Sequence, residues 1–256
     1  MQESPLELHQ FSHSHYNEKV RWALDYKAVP HVRICYMPGP HVPQIRRLTG
    51  QTETPVIRFD GHTVHGSAAI LDLLEQRFPS PPLYPSDPAT KAEALAIQAR
   101  LDAELGPEIR LAVFDAVIDD TAFMIATFTS EQPAWKRAPY QALFPLIRPV
   151  MKKQMHITPE NGRHARERVE KLMDWIAEKA AATGYLAGGA FSVADLTAAA
   201  LLGPAALYDH PDMKQAERRP ARYTELCATW ATHPAMQWAH RVYRDHRPPR
   251  RGIVIA

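Results

Sequence analysis

Cysteine is scarce. The 256 residues hold two, Cys35 and Cys227, far apart and outside any C-x-x-C. That spacing excludes a disulfide framework, argues against a thiolate zinc site, and makes a reducing compartment the default. An excess of one charge is also missing. Lysine plus arginine number 30 against 28 aspartate plus glutamate, a formal net charge of +2, so nothing electrostatic asks for a nucleic-acid partner. No stretch approaches the ~20 apolar residues of a membrane span. Met1–Pro5 lack the basic-then-apolar order of a secretory leader. No repeat of fixed period is apparent. The expectation is a cytoplasmic chain with neither nucleic acid nor membrane as partner.

What is present is a 45% apolar composition, enough for a sizeable core, and two halves of different grain. Up to about residue 84, strand-like and helix-like segments alternate. Leu6–Phe11 is a short β-prone run. Asn17–Ala28 has helical spacing, with Val20, Ala23 and Leu24 on one face. Val32, Ile34 and Tyr36 alternate at period two. Pro43 suits a helix first turn. Asp60-Gly61 between two β-prone runs predicts a hairpin, because both turn residues need positive φ. Ser67 is placed to cap a helix running to Arg77. The predicted order is β-α-β-α-β-β-α, with a parallel first pair and an antiparallel hairpin at the edge.

Five prolines between Pro79 and Pro88 then read as a linker, and the rest of the chain is helical in pattern. Helices are expected over Ala89–Ile118, Arg163–Ala182, Ser192–Leu207, Tyr223–Thr232 and Pro234–His246. Pro133, Pro139, Pro145, Pro149 and Pro159 predict short broken pieces in between. The expected layout is a first domain over 1–84, a linker over 85–90, an all-helical domain over 91–246 with an irregular insertion at about 120–159, and a tail over 247–256, either mobile or docked.

Three local motifs resemble those of cytosolic glutathione transferases. Thr54-Pro55-Val56-Ile57 resembles the V-P-x-L signature whose proline is cis. His65-Gly66-Ser67-Ala68-Ala69-Ile70 resembles the E/Q-S-x-A-I that opens the third helix. Ser192-Val193-Ala194-Asp195 resembles the S/T-x-A-D cap of the helical domain, and reads independently as a capping box. The resemblance, to a serine-type or atypical bacterial-like member, implies a thioredoxin-like domain followed by an all-helical one. It also implies glutathione as co-substrate, a small electrophile as second substrate, no metal, and a homodimer.

The resemblance places Ser14 at the activating position, before the first helix. A free thiol has a pKa of ~8.5; a serine hydroxyl and a helix N-terminus both favour the thiolate. Thr54 and Pro55 are expected to present main-chain groups to the peptide, and Gly66 and Ser67 to meet its γ-glutamyl carboxylate at a helix start. Two departures stand out. Gly66 replaces the usual acid or amide, and Glu53 replaces a common lysine near the glycyl carboxylate, a role left to His41 or Gln51. They open an alternative: a transferase-fold scaffold that binds a protein or another ligand without thiol chemistry. A cysteine-type reductase is disfavoured by the positions of Cys35 and Cys227. His9, His13, His15, His62 and His65 raise a weaker metal reading, without an evident acidic ligand. Phe114, Phe123, Trp135 and Tyr140 are candidates either for the electrophile pocket or for core.

Overall fold

The computed structural model describes residues 5–255, so residues 1–4 of the expected first domain and residue 256 of the tail lie outside it. Strands β1 (Leu6–Gln10) and β2 (His31–Cys35) pair in parallel, joined by helix α1 (His15–Tyr26). Helix α2 (Val42–Thr49) leads to β3 (Val56–Phe59), which turns at Asp60-Gly61 into β4 (His62–His65). Both turn residues have positive φ, 51° and 75°, as the hairpin predicts. Helix α3 (Ser67–Arg77) closes this half. Leu8, Val20, Leu24, Ile70 and Leu74 form its dry interior.

The second half is helical: α4 (Pro88–Val117), α5 (Thr121–Phe128), α6 (Arg137–Gln154), α7 (Pro159–Ala180), α8 (Val193–Ala206), α9 (Ala221–Ala231) and α10 (Pro234–His246). Helix α8 is the hub. It is rich in alanine and leucine, buried along almost its whole length, and packs on α1, α4 and α10. Its start is fixed by the capping box. Asp195 accepts the Ser192 N–H at 2.9 Å and the Leu186 N–H at 2.8 Å, satisfying buried donors at a helix end. Burial still pushes its carboxyl up to about 6.

Two expectations need correction, and the alternative left open for the tail is decided. Residues 120–159 are not irregular: α5, a 3-10 turn (Ala134–Lys136) and α6 fill most of them. Pro145 and Pro149 lie inside α6. Their loss of main-chain hydrogen bonds is offset by anchoring of the buried row Tyr140 and Phe144, with the Tyr140 hydroxyl donating to the Pro38 carbonyl at 2.9 Å. The phase of β2 is inverted. His31, Arg33 and Cys35 are the buried set, and Val32 and Ile34 are half-buried. The tail is docked: β5 (Ile253–Ile255) adds to β2 in parallel, giving the sheet order β4-β3-β1-β2-β5.

Candidate functional site

Helix α1 begins at Ser14. The residue has extended backbone, φ −82° and ψ 130°, and its Oγ accepts the Asn17 N–H at 3.4 Å. This is an N-cap bond, and it uses a lone pair only, so the hydroxyl proton stays available to an acceptor in front of the helix. The neighbouring side chains are committed elsewhere. The Tyr16 hydroxyl donates to the Asp102 carbonyl at 2.6 Å, and His15 Nε2–H donates to the Gly106 carbonyl at 2.9 Å. Gly106 permits this approach, since a Cβ there would sit 2.0 Å from the Tyr16 oxygen. Burial lowers His15 to about 3, and burial with the Arg21 charge lowers His13 to about 4. Both imidazoles beside Ser14 are therefore neutral at pH 7.

Opposite Ser14 stands the loop before β3. The Thr54–Pro55 peptide is cis. Asn17 Nδ2 donates to Thr54 Oγ1 at 3.1 Å, tying this loop to α1. The main-chain N–H and C=O of Thr54 have no partner among the described residues. At the start of α3 the expected cap is corrected by one residue. Gly66, at φ +85°, is the N-cap, and Ser67 is the first helical residue. A glycine cap accepts nothing from the first turn, so those N–H groups keep no side-chain partner. Ser67 is buried, and its hydroxyl has no partner among the described residues. A Cβ on Gly66 would meet nothing within 4 Å, so the approach is open. This free helix end with a hydroxyl suits a carboxylate.

The two proposed substitutes for the missing lysine are occupied. His41 Nδ1 accepts the Gly39 N–H at 3.1 Å, and its Nε2–H donates to the Thr52 carbonyl at 3.0 Å. Burial lowers its pKa, and the ring meets Phe11 edge-on. Gln51 Nε2 donates to Thr49 Oγ1 at 2.9 Å and to the Glu53 carbonyl at 3.0 Å. Glu53 is exposed. The five histidines scatter: His9 bonds Tyr36 at 2.9 Å, His13 bonds Ser130 at 2.8 Å, and His62 and His65 are exposed on β4. Cys35 and Cys227 are both buried, and burial raises both thiols.

Sequence reasoning missed a buried ionic network on the flank of α1. Arg247 donates to Glu18 at 2.7 Å, to Asp25 at 2.9 Å and to Asp212 at 2.6 Å. Arg33 bridges Asp212 at 2.7 Å and Asp25 at 2.6 Å. Arg21 pairs with Glu18 at 2.7 Å, and Arg250 with Asp212 at 2.6 Å. Despite burial, the surrounding guanidiniums hold the Asp212 carboxyl well below its usual range. Glu18, His210 and Asp212 bring ligand-type atoms within 4.8 Å of one another, but four arginines share that space, so the donor set does not suit a cation. No local signal marked it: Arg33 alternates with Val32 and Ile34 as a solvent-facing residue of a strand does.

Beside Ser12 and His13 lies a cavity of about 310 Å³, lined by Thr127, Ser130, Asp212 and Lys214 among others. None of the four candidate aromatics lines it, and Phe114 packs against the core. Phe123 and Tyr140 are core, and Trp135 is 72% exposed.

Family models for the glutathione S-transferase N-terminal domain and C-terminal domain match residues 8–82 and 132–226. A curated relative, the probable maleylacetoacetate isomerase 1 of Drosophila melanogaster, is 27% identical over 104 residues, covering 40% of this chain and 42% of the relative. The fold is shared with a Methylobacterium radiotolerans glutathione S-transferase solved with glutathione sulfonate, at TM-score 0.62, 20% identity and 99% of both chains. It is also shared with the β-etherase LigF of Sphingobium, at TM-score 0.61 and 16% identity over 93% of this chain and 99% of that one. The chain belongs to the glutathione S-transferase family.

Proposed function

We propose that the chain binds glutathione along Ser14, Thr54 and Ser67 and activates its thiol for attack on a small electrophile. The observation that carries this reading is the Ser14 hydroxyl at the N-cap of α1, with its lone pair used and its proton spare. Ser67 and the uncapped start of α3 receive the γ-glutamyl carboxylate. The free main-chain pair of Thr54 takes the cysteinyl backbone as an added strand would.

Lowering a thiol by two units requires roughly 2.7 kcal/mol of preference for the thiolate. A hydrogen bond to a charged acceptor supplies about 1.5–3 kcal/mol, and a helix N-terminus a further 0.3–1, roughly. Ser14 and α1 together reach that figure. The neutral His13 and His15 add no cation. The cavity beside His13 is the natural seat for the electrophile. A homodimer and a cytoplasmic location belong to the same reading.

One observation favours the scaffold alternative: among Glu53, His41 and Gln51, none offers a free cation to the glycyl end. Calorimetric titration with glutathione and with γ-glutamylcysteine separates the two. The transferase reading predicts that both bind, within a few-fold of each other. Heat from neither ligand supports the scaffold.

A further inference from the structure

Six large apolar side chains stand exposed among the described residues, and four fall in one short stretch: Trp135 (72%), Leu143 (40%), Leu146 (70%) and Val150 (52%). Leu143, Leu146 and Val150 are spaced i, i+3, i+7 on α6, and the exposed Pro139 extends the row. The adjacent row of Tyr140, Phe144, Ile147 and Met151 faces the core. Helix α6 therefore carries two apolar rows and packs only one of them. Single exposed leucines are ordinary; a continuous row marks a binding surface.

The charge carried by the segment itself has one sign. Residues 132–159 hold five Lys or Arg and no Asp or Glu. Of the chain's 30 basic and 28 acidic residues, that leaves 25 against 28 elsewhere. Lys136 and Arg137 stand at the start of α6, and Arg148, Lys152 and Lys153 in its last two turns. Lys152 reaches Asp119 at 2.6 Å. Arg137 and Lys153 are exposed and have no ion-pair partner among the described residues.

We propose that α6 is a docking face for an anionic lipid surface, lying flat in the headgroup layer. Trp135, Leu143, Leu146 and Val150 enter the apolar boundary, and the basic side chains at both ends meet phosphates. An apolar row with cationic flanks fits a partner whose apolar and anionic layers are adjacent. A two-fold pairing of α6 with its own copy sets like charges face to face. No helix of the described residues is long and apolar enough to cross a membrane; α6 lies on one instead.

The test is flotation of the full chain with phosphatidylcholine vesicles and with equimolar phosphatidylcholine–phosphatidylglycerol vesicles, folding being checked by circular dichroism. The chain floats with the anionic vesicles and stays behind with the neutral ones. Arg137→Gln with Lys153→Gln lowers partition by about thirtyfold, and Leu146→Ser with Val150→Ser lowers it at least tenfold or so. Equal recovery with both vesicle types, or flotation untouched by both double variants, overturns the proposal. So does a dimer that Leu146→Ser with Val150→Ser dissolves in the absence of vesicle binding, which assigns the face to a second copy. Binding to polyglutamate as tight as to vesicles assigns it to charge alone and also overturns it.

Discussion

Helix α1 serves two regions that are built in opposite ways. At its N-terminus, the hydroxyl protons of Ser14 and Ser67 and the main-chain groups of Thr54 stay unspent. Along its buried flank, Arg21 donates to Glu18, and Glu18 and Asp25 are saturated by Arg33, Arg247 and Tyr243. The difference assigns the work. The ionic flank fixes where the helix lies, using residues from the far end of the chain. The uncommitted end can then hold donors toward a ligand without reorganising. If the two regions are separate, each can be damaged without the other.

The largest expected effect is on the saturated side. Arg247→Met strips Glu18, Asp25 and Asp212 of a shared partner, and breaking a buried pair costs about 3–5 kcal/mol. Urea unfolding should show that loss, and Tm should fall by roughly 10 °C. Glutathione affinity of the folded fraction should stay within a few-fold. A variant of normal stability that fails to bind would erase the distinction.

Acid stability comes next. Because the folded pKa of His15 lies below its unfolded value, the unfolded state takes the proton first. The contribution is whole above ~6.5 and is lost as pH falls toward about 3. In that window stability should drop by about 1.4 kcal/mol per pH unit for this group. Denaturation of His15→Gln across pH 4–7 should show the slope reduced by that amount. A parallel slope would mean that His15 is not held neutral.

Ser14→Ala sharpens the other side. The turnover parameter kcat/KM should fall by roughly thirtyfold, the equivalent of about 2 kcal/mol, while stability changes by about 1 kcal/mol or less from loss of the cap. Smallest of all, Glu53→Lys should tighten glutathione about fivefold, as an exposed charge pair is worth ~1 kcal/mol at most. Tightening of γ-glutamylcysteine by the same factor would place Glu53 away from the glycyl end.

Local chemistry was legible. The Asp60-Gly61 hairpin, the Ser192–Asp195 box and the cis peptide at Pro55 each depend on a few consecutive residues. The start of α3 was misplaced by one residue, because Ser67 fits the side-chain preference while Gly66 supplies the backbone angle. The ionic flank was hidden for a different reason. Glu18 and Arg247 are separated by 229 positions, and a lone charge in a helix or tail normally reads as solvated. Prolines misled over α6, where packing of Tyr140 and Phe144 outweighs propensity.

The most direct test is the pKa of glutathione's thiol when bound, followed by thiolate absorbance across a pH titration. Ser14 and the end of α1 should bring it well below ~8.5 in the wild-type complex, and Ser14→Ala should return it most of the way while binding persists. A bound thiol that titrates at the same pH in both proteins would contradict the assignment of Ser14.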